Sequence, residues 1–220
     1  MRRITGAFFQ SLDGVVQAPG GPTEDPTGGF AHGGWLAGLF DQQAGDAIDR
    51  LFTPPYDLLL GRRTYEIFAA YWPYAEGENA AMGKAFDAAG KYVLTRGDPP
   101  LPWANSHRLA GVEDVAKVKA GDGPDLIIQG SSTIYPALLT AGLIDRLIVL
   151  TFPVMLGSGK RVFGADTPPK TLKMTEQTVS PGGTIVATYE PGGAVETGSF
   201  GTVDSERERE RQRRMEDGSW

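Results

Sequence analysis

The sequence has no cysteine and only two histidines, His32 and His107. The absence of cysteine excludes disulfide bonds, thiolate nucleophiles, iron–sulfur clusters and zinc sites that use cysteine ligands. A Ser-His-Asp hydrolase has little support, because no Gly-x-Ser-x-Gly motif accompanies the two histidines. We expect both histidines in turns or at the surface, and we predict no metal site.

The sequence also lacks long hydrophobic runs and an excess of positive charge. No apolar run approaches the roughly 20 residues that a transmembrane helix needs. The apolar stretch that begins at Ile4 is broken by Gln10 and Asp13, too early for the core of a signal peptide. A formal net charge of -6 disfavours binding to the phosphates of nucleic acids. We therefore predict a soluble, cytoplasmic protein that binds neither membranes nor nucleic acid.

What the sequence does contain is an alternation of short apolar strands and helices, followed by a hairpin. Hydrophobic residues make up 40% of the chain, enough to bury a sizeable core. Strands and helices that alternate in this way are typical of an α/β domain with a mixed sheet. The predicted strands span residues 4–9, 57–61, 91–95, 125–129 and 143–152. The predicted helices span 35–52, 62–71, 79–89, 114–119 and a stretch through Leu139 that ends near Gly142. The hairpin spans 171–179 and 183–189.

Two segments lack this pattern. Residues 19–34 are rich in Gly, Pro, Thr and Asp, which predicts a surface loop. Beyond the hairpin the composition changes to Gly, Ser and Thr and then to alternating Arg and Glu, so we divide the chain into a domain over residues 1–190 and a charged tail over 191–220. We interpret the tail as solvated or disordered. The alternative is a helix capped by Asp204 or Ser205, since charges three and four residues apart support one.

Two common nucleotide-binding motifs are absent from the sequence. Residues 157–160 (Gly-Ser-Gly-Lys) resemble the end of a Walker A loop, but Val154 stands in place of its first glycine and Arg161 in place of the Ser or Thr that holds magnesium. No Gly-x-Gly-x-x-Gly follows the early strands, so the usual Rossmann fingerprint is missing. Any nucleotide site must therefore use other elements.

The strongest local signal lies where the predicted strand 57–61 meets the next helix. The strand ends at Gly61, and the helix begins with Arg62, Arg63 and Thr64. Free N–H groups at a helix start, the positive end of the helix dipole and arginine side chains together bind phosphate. The segment predicts a phosphate site. The alternative is an ordinary helix start whose arginines lie in solvent.

Two further strand ends carry suitable residues. Thr95 and Arg96 end the strand 91–95 and could grip a further phosphate, such as the one that distinguishes NADPH from NADH. The turn over 130–134 is small and rich in hydroxyl groups, which lets a pyrophosphate approach the backbone, although a plain Ser-capped helix start has the same composition. Because ligands of open α/β sheets collect beyond the carboxyl ends of the strands, the three sites predict one binding edge for a dinucleotide.

Several short motifs follow one another in a characteristic order along residues 4–190. They are Ser11-Leu12-Asp13-Gly14, Gly61-Arg62-Arg63-Thr64-Tyr65-Glu66, Gln129-Gly130-Ser131-Ser132 with Leu138-Leu139, Gly142-Leu143-Ile144-Asp145 and the segment Pro153 to Gly159. The ordered set resembles the dihydrofolate reductase superfamily, in particular the branch of the riboflavin-biosynthesis reductase C-terminal domain and small bacterial dihydrofolate reductase family proteins. The resemblance implies a dihydrofolate reductase-like, three-layer α/β fold, with a central mixed, mostly parallel sheet of about eight strands and flanking helices.

The resemblance implies NADPH as the cofactor, lying across the strand ends. It places Gly61, Arg62, Arg63 and Thr64 at cofactor phosphates, Thr95 and Arg96 near the adenosine 2′-phosphate, and Val16 near the nicotinamide. It places the pyrophosphate at Gly130, Ser131, Ser132, Thr133 and Ile134.

The resemblance also implies a reaction, the transfer of hydride from NADPH to a C=N or C=O carbon of a small pyrimidine or pterin. In the riboflavin branch the substrate would be 5-amino-6-(5-phosphoribosylamino)uracil. Asp13, in a segment that borders the substrate in that branch, and Asp41, on the next predicted helix, are the candidate catalytic residues. Two alternatives stay open, namely a dihydrofolate reductase that uses Asp41 or Asp46 as its acid and a non-catalytic NADPH-binding protein.

Three expectations concern the surroundings of this site. The loop over 19–34 could cover the bound substrate. The apolar strand over 147–152 could pair with a second copy, which predicts a homodimer. The fused riboflavin enzymes also carry a zinc deaminase domain with cysteine ligands, so in a chain without cysteine any deaminase must be another protein.

Overall fold

A single eight-stranded sheet forms the centre of the molecule, and the computed structural model describes residues 1–219. The strands are β1 (Ile4–Ser11), β2 (Tyr56–Gly61), β3 (Lys91–Leu94), β4 (Ser106–Leu109), β5 (Asp125–Gln129), β6 (Arg146–Phe152), β7 (Leu172–Val179) and β8 (Ile185–Pro191). Their order across the sheet is β4-β3-β2-β5-β1-β6-β8-β7. The first six strands in this order run parallel, and the β7–β8 hairpin is antiparallel to β6 and within itself. The predicted α/β fold with a mixed, mostly parallel sheet is confirmed.

Helices cover both faces of the parallel part of the sheet. They are α1 (Gln42–Leu51), α2 (Arg62–Tyr71), α3 (Ala80–Ala88), α4 (Val112–Ala120), α5 (Tyr135–Thr140) and, in the tail, α6 (Glu206–Glu216). One core cluster joins α4 and α5 to β1, β5 and β6, and another joins α2 and α3 to β2 and β3. Because β2 is covered on both faces, Leu58, Leu59 and Leu60 are all fully buried. Within residues 1–219, every helix is too short or too polar to cross a bilayer.

The first helix begins later than the sequence pattern predicted. The apolar spacing suggested a helix from Trp35, whereas α1 starts at Gln42. Asp41 is its N-cap, and Asp41 Oδ1 accepts a hydrogen bond of 3.0 Å from Ala44 N–H. The preceding residues form turns, in which Phe40 N–H donates to the carbonyl of Leu36. The prediction was wrong here because apolar residues in a packed turn can mimic the spacing of a helix.

Strand β6 is an interior strand, which corrects the predicted dimer edge. It pairs with β1 on one side and with β8 on the other. Both of its hydrogen-bonding edges are therefore occupied within the chain, so residues 147–152 cannot pair with a second copy. The strand also starts at Arg146 rather than at Leu143. Leu143 N–H donates to Leu138 O at the end of α5, and Asp145 N–H donates to Ile4 O.

The charged tail contains a helix, so the helical alternative is the one that the structure adopts. The hydroxyl of Ser205 accepts a hydrogen bond from Glu208 N–H at 3.1 Å and caps α6. Pairs three residues apart, such as Glu208 with Arg211 at 2.5 Å, line its surface. No side chain of α6 is buried, and Trp220, the last residue of the predicted tail, lies outside the described residues.

Candidate functional site

The carboxyl ends of the parallel strands bring the predicted binding segments to one edge of the sheet. Gly61 of β2 pairs with Leu94 of β3, so Thr95, the residue after Leu94, lies at the same end of the sheet as Gly61. In β5, Gln129 pairs with Ala7 of β1, so the turn over 130–134 begins at the same edge. We call the ends of β1, β2, β3 and β5, with the turns that follow them, the strand-end rim.

Two of the predicted segments contact each other directly on the strand-end rim. Gly61 N–H donates to Ser131 Oγ at 3.0 Å, and Ser131 N–H donates to Thr64 Oγ1 at 3.1 Å. A Cβ at residue 61 would lie 3.2 Å from Ile134 Cγ2, so glycine permits this close approach. Ser131 itself takes a left-handed conformation, with φ 54°. The turn after β2 and the turn after β5 therefore form one fixed unit.

This unit has the properties that a pyrophosphate requires. No side chain caps the start of α2 or the short helical turn over 132–134, which leaves N–H groups at both starts without a side-chain capping partner. Arg62 and Arg63 follow immediately, and each side chain is 56% exposed. Uncapped N–H groups, a positive helix end and two accessible guanidinium groups fit the phosphates of a dinucleotide.

The predicted pair after β3 divides into a buried and an accessible residue. Thr95 is buried, its N–H donates to the carbonyl of Leu109 at 3.0 Å, and its hydroxyl donates to the carbonyl of Arg96 at 3.1 Å. Thr95 thus shapes the turn, whereas Arg96 is exposed. Of the two, Arg96 is the side chain that is free to reach a phosphate.

A cluster that the sequence did not reveal links the glycine-rich loop to α2. We call Asp25, Thr27, Arg63 and Lys160 the Asp25 cluster. Asp25 Oδ2 accepts from Lys160 Nζ at 2.5 Å and from Arg63 Nη1 at 3.4 Å, and Thr27 Oγ1 lies 2.8 Å from Lys160 Nζ and 3.1 Å from Arg63 Nη1. Burial alone would raise the pKa of Asp25, but hydrogen bonds from Lys160 and Thr27 outweigh it and lower the pKa to about 2. The members are up to 135 positions apart, so no local motif could have signalled the cluster.

Gln17 holds the loop that carries Asp25. Its side-chain amide donates to the carbonyls of Asp25 and Thr27 at 2.9 and 2.8 Å, and its Oε1 accepts from Lys160 N–H at 3.1 Å. The indole N–H of Trp35 in turn donates to the carbonyl of Gln17 at 2.9 Å. The predicted surface loop is therefore closed by buried polar contacts, and it reaches the strand-end rim through Arg63.

Asp13 lies in the turn after β1 and binds the loop that follows β6. Its carboxylate accepts from Ser11 Oγ at 2.6 Å, from Leu156 N–H at 3.0 Å and from Gly157 N–H at 2.8 Å. The Ser11 hydroxyl and then the Leu156 N–H lower the pKa of Asp13 to about 2. Val16 belongs to the same arrangement, since its N–H donates to Lys160 O at 2.8 Å. At neutral pH Asp13 is an anion that fixes two loops.

Asp41 contacts the β7–β8 turn as well as its own helix. A Cβ at residue 182 would lie 3.0 Å from Asp41 Oδ2, which shows how closely that turn approaches. The neighbouring Ser180 hydroxyl, and then the N–H of Ala44, lower the pKa of Asp41. Like Asp13, Asp41 is ionised at neutral pH, and its contacts are those of a helix cap. Asp46, one turn further on, accepts a hydrogen bond from Gln42 Nε2 at the exposed surface.

Comparison with known sequences identifies the family of this chain. A model of the RibD C-terminal domain family matches residues 2–186, and the chain belongs to that family. The uncharacterized protein YyaP of Bacillus subtilis strain 168 is 25% identical to this chain over 198 residues, which cover 86% of this chain and 94% of YyaP.

Solved structures with the same fold include three proteins of related description. A protein of Shewanella sp. PV-4 assigned to riboflavin biosynthesis aligns with a TM-score of 0.64 and 19% identity, covering 86% of this chain and 99% of its own. Dihydrofolate reductase from Enterococcus faecalis, complexed with NADP(H), aligns with a TM-score of 0.54 and 16% identity over 86% of this chain and 96% of its own. A pyrimidine reductase-like protein from Corynebacterium diphtheriae aligns with a TM-score of 0.54 and 13% identity over 86% of this chain and 92% of its own. The dihydrofolate reductase-like fold is thus shared.

Proposed function

We propose that this chain is an NADPH-dependent reductase that acts on a pyrimidine of the riboflavin type, 5-amino-6-(5-phosphoribosylamino)uracil or a close analogue. The observation that carries the proposal is the fixed unit of two uncapped helix starts beside Arg62 and Arg63. Membership of the RibD C-terminal domain family supports a reductase, and a structural neighbour that holds NADP(H) supports the cofactor.

In this proposal the residues of the strand-end rim bind and orient the cofactor. The turn residues 130–134 and the first turn of α2 hold the pyrophosphate, Arg62 and Arg63 add charge, and Arg96 reaches the 2′-phosphate. Val16 would lie beside the nicotinamide. When bound, NADPH supplies the hydride, and the loop held by Gln17 and Asp25 excludes water from the reacting carbon.

The two candidate catalytic carboxylates have a positioning role in this proposal. A general acid at neutral pH needs a pKa near the working pH, whereas folding lowers the pKa of both Asp13 and Asp41. Asp13 then orders the loops that border the substrate, and Asp41 orders the start of α1. A folate-type reaction, which requires Asp41 or Asp46 as the proton donor, receives less support from this arrangement.

The reaction is tested by following the NADPH absorbance of the purified protein with 5-amino-6-(5-phosphoribosylamino)uracil and, separately, with dihydrofolate. We expect NADPH oxidation with the pyrimidine and none with dihydrofolate. In Asp41→Asn we expect kcat to fall by less than about tenfold, since a lost proton donor typically costs 100-fold or more. Turnover of dihydrofolate that Asp41→Asn abolishes would establish the folate reaction instead. NADPH binding without turnover of either substrate would leave a cofactor-binding protein.

A further inference from the structure

The neighbouring arginines at the start of α2 have different surroundings. Arg62 Nε lies 3.6 Å from Glu66 Oε1, one turn along the same helix, and both side chains are over half exposed. Arg63 Nη1 instead donates to Thr27 Oγ1 at 3.1 Å and to Asp25 Oδ2 at 3.4 Å, and the side chain of Asp25 is only 10% exposed. An exposed pair does little to fix a side chain, because both partners rotate freely and solvent screens their attraction. Arg63 is therefore the more firmly held of the two arginines.

Arg63 keeps donor groups for a ligand although it is held in place. A guanidinium group carries N–H donors on all three of its nitrogens, and the Asp25 cluster uses only those on Nη1. Within residues 1–219, Nε and Nη2 of Arg63 make no hydrogen bond to the protein, and the side chain is 56% exposed. These groups can bind a phosphate at the start of α2 while Nη1 stays on the loop.

Lys160 preserves the positive charge of Arg63. Asp25 Oδ2 lies 2.5 Å from Lys160 Nζ and 3.4 Å from Arg63 Nη1, so Lys160 is the main counter-ion of the carboxylate. The hydroxyl of Thr27 donates its proton to Asp25 Oδ1 at 2.5 Å, which leaves its oxygen to accept from both cations. With one anion between two cations, the cluster keeps a net positive charge beside the helix start. Asp25 can therefore orient Arg63 without cancelling its charge.

The backbone around Lys160 is itself fixed against the chain that follows β1. Lys160 N–H donates to Gln17 Oε1 at 3.1 Å, and Lys160 O accepts from Val16 N–H at 2.8 Å. The preceding Gly159 has φ 131°, and a Cβ at this position would collide with Val15 Cγ1, so the two segments pack closely. Lys160 therefore projects from a rigid base, which in turn fixes Asp25.

We propose that Asp25 is a positioning residue for the cofactor, which holds the guanidinium group of Arg63 ready for the pyrophosphate while Lys160 neutralises the carboxylate. This inference rests on the proposed function. A side chain that is already ordered loses less rotational freedom when it binds, so the affinity for the cofactor rises. The anion that holds the loop over 19–34 also holds the arginine, and the loop and the cofactor site thus form one coupled unit.

The proposal is tested by calorimetric titration of NADPH into the full-length wild type, Asp25→Asn, Arg63→Ala and the double variant D25N/R63A. Asp25→Asn should raise the Kd of NADPH by about three- to tenfold, because Arg63 must then be ordered during binding. Arg63→Ala removes the group through which Asp25 acts, so the Kd of D25N/R63A should lie within about twofold of that of Arg63→Ala. A merely structural role of Asp25 would instead make the two losses add.

Lys160→Met tests the charge balance of the cluster. Without its main counter-ion the carboxylate of Asp25 pairs with Arg63, and the Kd of NADPH should rise by about tenfold or more. Asp25→Asn on this background removes the competing charge, so D25N/K160M should bind NADPH more tightly than Lys160→Met does and come within about threefold of Asp25→Asn. If the cluster served only to support the loop, the second substitution would weaken binding further.

A matched control is Glu66→Gln, which makes the same change of acid to amide beside Arg62 and should alter the Kd by less than about twofold. Circular dichroism at the temperature of the titration confirms that each variant is folded. If Arg63→Ala weakens NADPH binding but Asp25→Asn binds like the wild type or more tightly, the positioning role is overturned and the cofactor site stands. Additive losses in D25N/R63A, or still weaker binding by D25N/K160M than by Lys160→Met, would overturn it in the same way. A wild type that does not bind NADPH would overturn the proposed function and this inference together.

Discussion

Among single residues, Asp25 joins its loop to two other segments at the site. Its carboxylate contacts Lys160 from the loop after β6 and Arg63 from α2, and its side chain is only 10% exposed. We expect Asp25→Asn to lower the free energy of unfolding by about 1–3 kcal/mol, since Lys160 loses its partner while the shape of the side chain is kept. Glu66→Gln is the control, because the Arg62–Glu66 pair at 3.6 Å is over half exposed and should contribute less than about 1 kcal/mol. If thermal denaturation showed equal losses of unfolding free energy in Asp25→Asn and Glu66→Gln, the importance of the Asp25 cluster would be contradicted.

The ionisation of Asp25 predicts that the stability of the fold depends on pH. The pKa of Asp25 is lowered from 3.8 to about 2 in the folded protein. A carboxylate of this kind stabilises the fold above its unfolded pKa, and the contribution is lost as the pH falls through the folded pKa. The difference in Tm between wild type and Asp25→Asn should therefore be constant above about pH 5 and shrink between about pH 4 and pH 2. A difference that stays constant down to pH 2 would show that the charge of Asp25 is not involved.

Single residues also show where prediction from sequence ends. The position of Gly61, Arg62 and Arg63 between a strand and a helix could be predicted, because a strand, a glycine and a cationic helix start are adjacent in the chain. Gln17, Asp25 and Lys160 could not, since each looks like an ordinary polar loop residue until the fold brings the three together. For the same reason the positioning contacts of Asp13 with Leu156 and Gly157 were visible only in the structure.

At the scale of elements, the connection between the turns after β2 and β5 makes a specific prediction. Thr64→Val removes the acceptor of Ser131 N–H but keeps the shape of the side chain. Because Ser131 is 7% exposed, its N–H would lose its partner in a buried position, and we expect a loss of about 1–3 kcal/mol in denaturant unfolding. Thr133→Val, an exposed change in the same turn, should cost less than about 0.5 kcal/mol. If Thr133→Val destabilised as much, the bond between the two turns would be of no special importance.

The elements themselves were predicted well where burial dictates them. Short runs such as Leu58-Leu59-Leu60 are typical of strands covered on both faces, and the hairpin around Ser180-Pro181-Gly182 follows from its turn residues. The start of α1 was misjudged, because Trp35 and Leu36 pack into the same core as the helix without belonging to it. Tertiary contacts decide whether such residues belong to the helix or to the turn before it, and the spacing of apolar residues does not reveal those contacts.

For the whole molecule, strand order was the information that the sequence lacked. An apolar, β-branched segment such as β6 has the same composition at the centre of a sheet as at its edge. Only the topology shows that β6 lies between β1 and β8 and that β4 and β7 are the edge strands. The carboxyl-end rule, in contrast, needs only the parallel order of strands and helices, and it correctly brought the segments at 61, 95 and 130 to one edge.

The central claim, that this edge binds NADPH, is tested most directly by calorimetric titration of NADPH into the purified protein and into the double variant R62A/R63A. We predict saturable binding by the wild type and an affinity at least about tenfold lower in the double variant, since charge-assisted bonds to phosphate are lost. Arg50→Ala, an exposed arginine in the last turn of α1, should bind like the wild type. Equal affinity of R62A/R63A and wild type, or a wild type that does not bind NADPH, would contradict the claim.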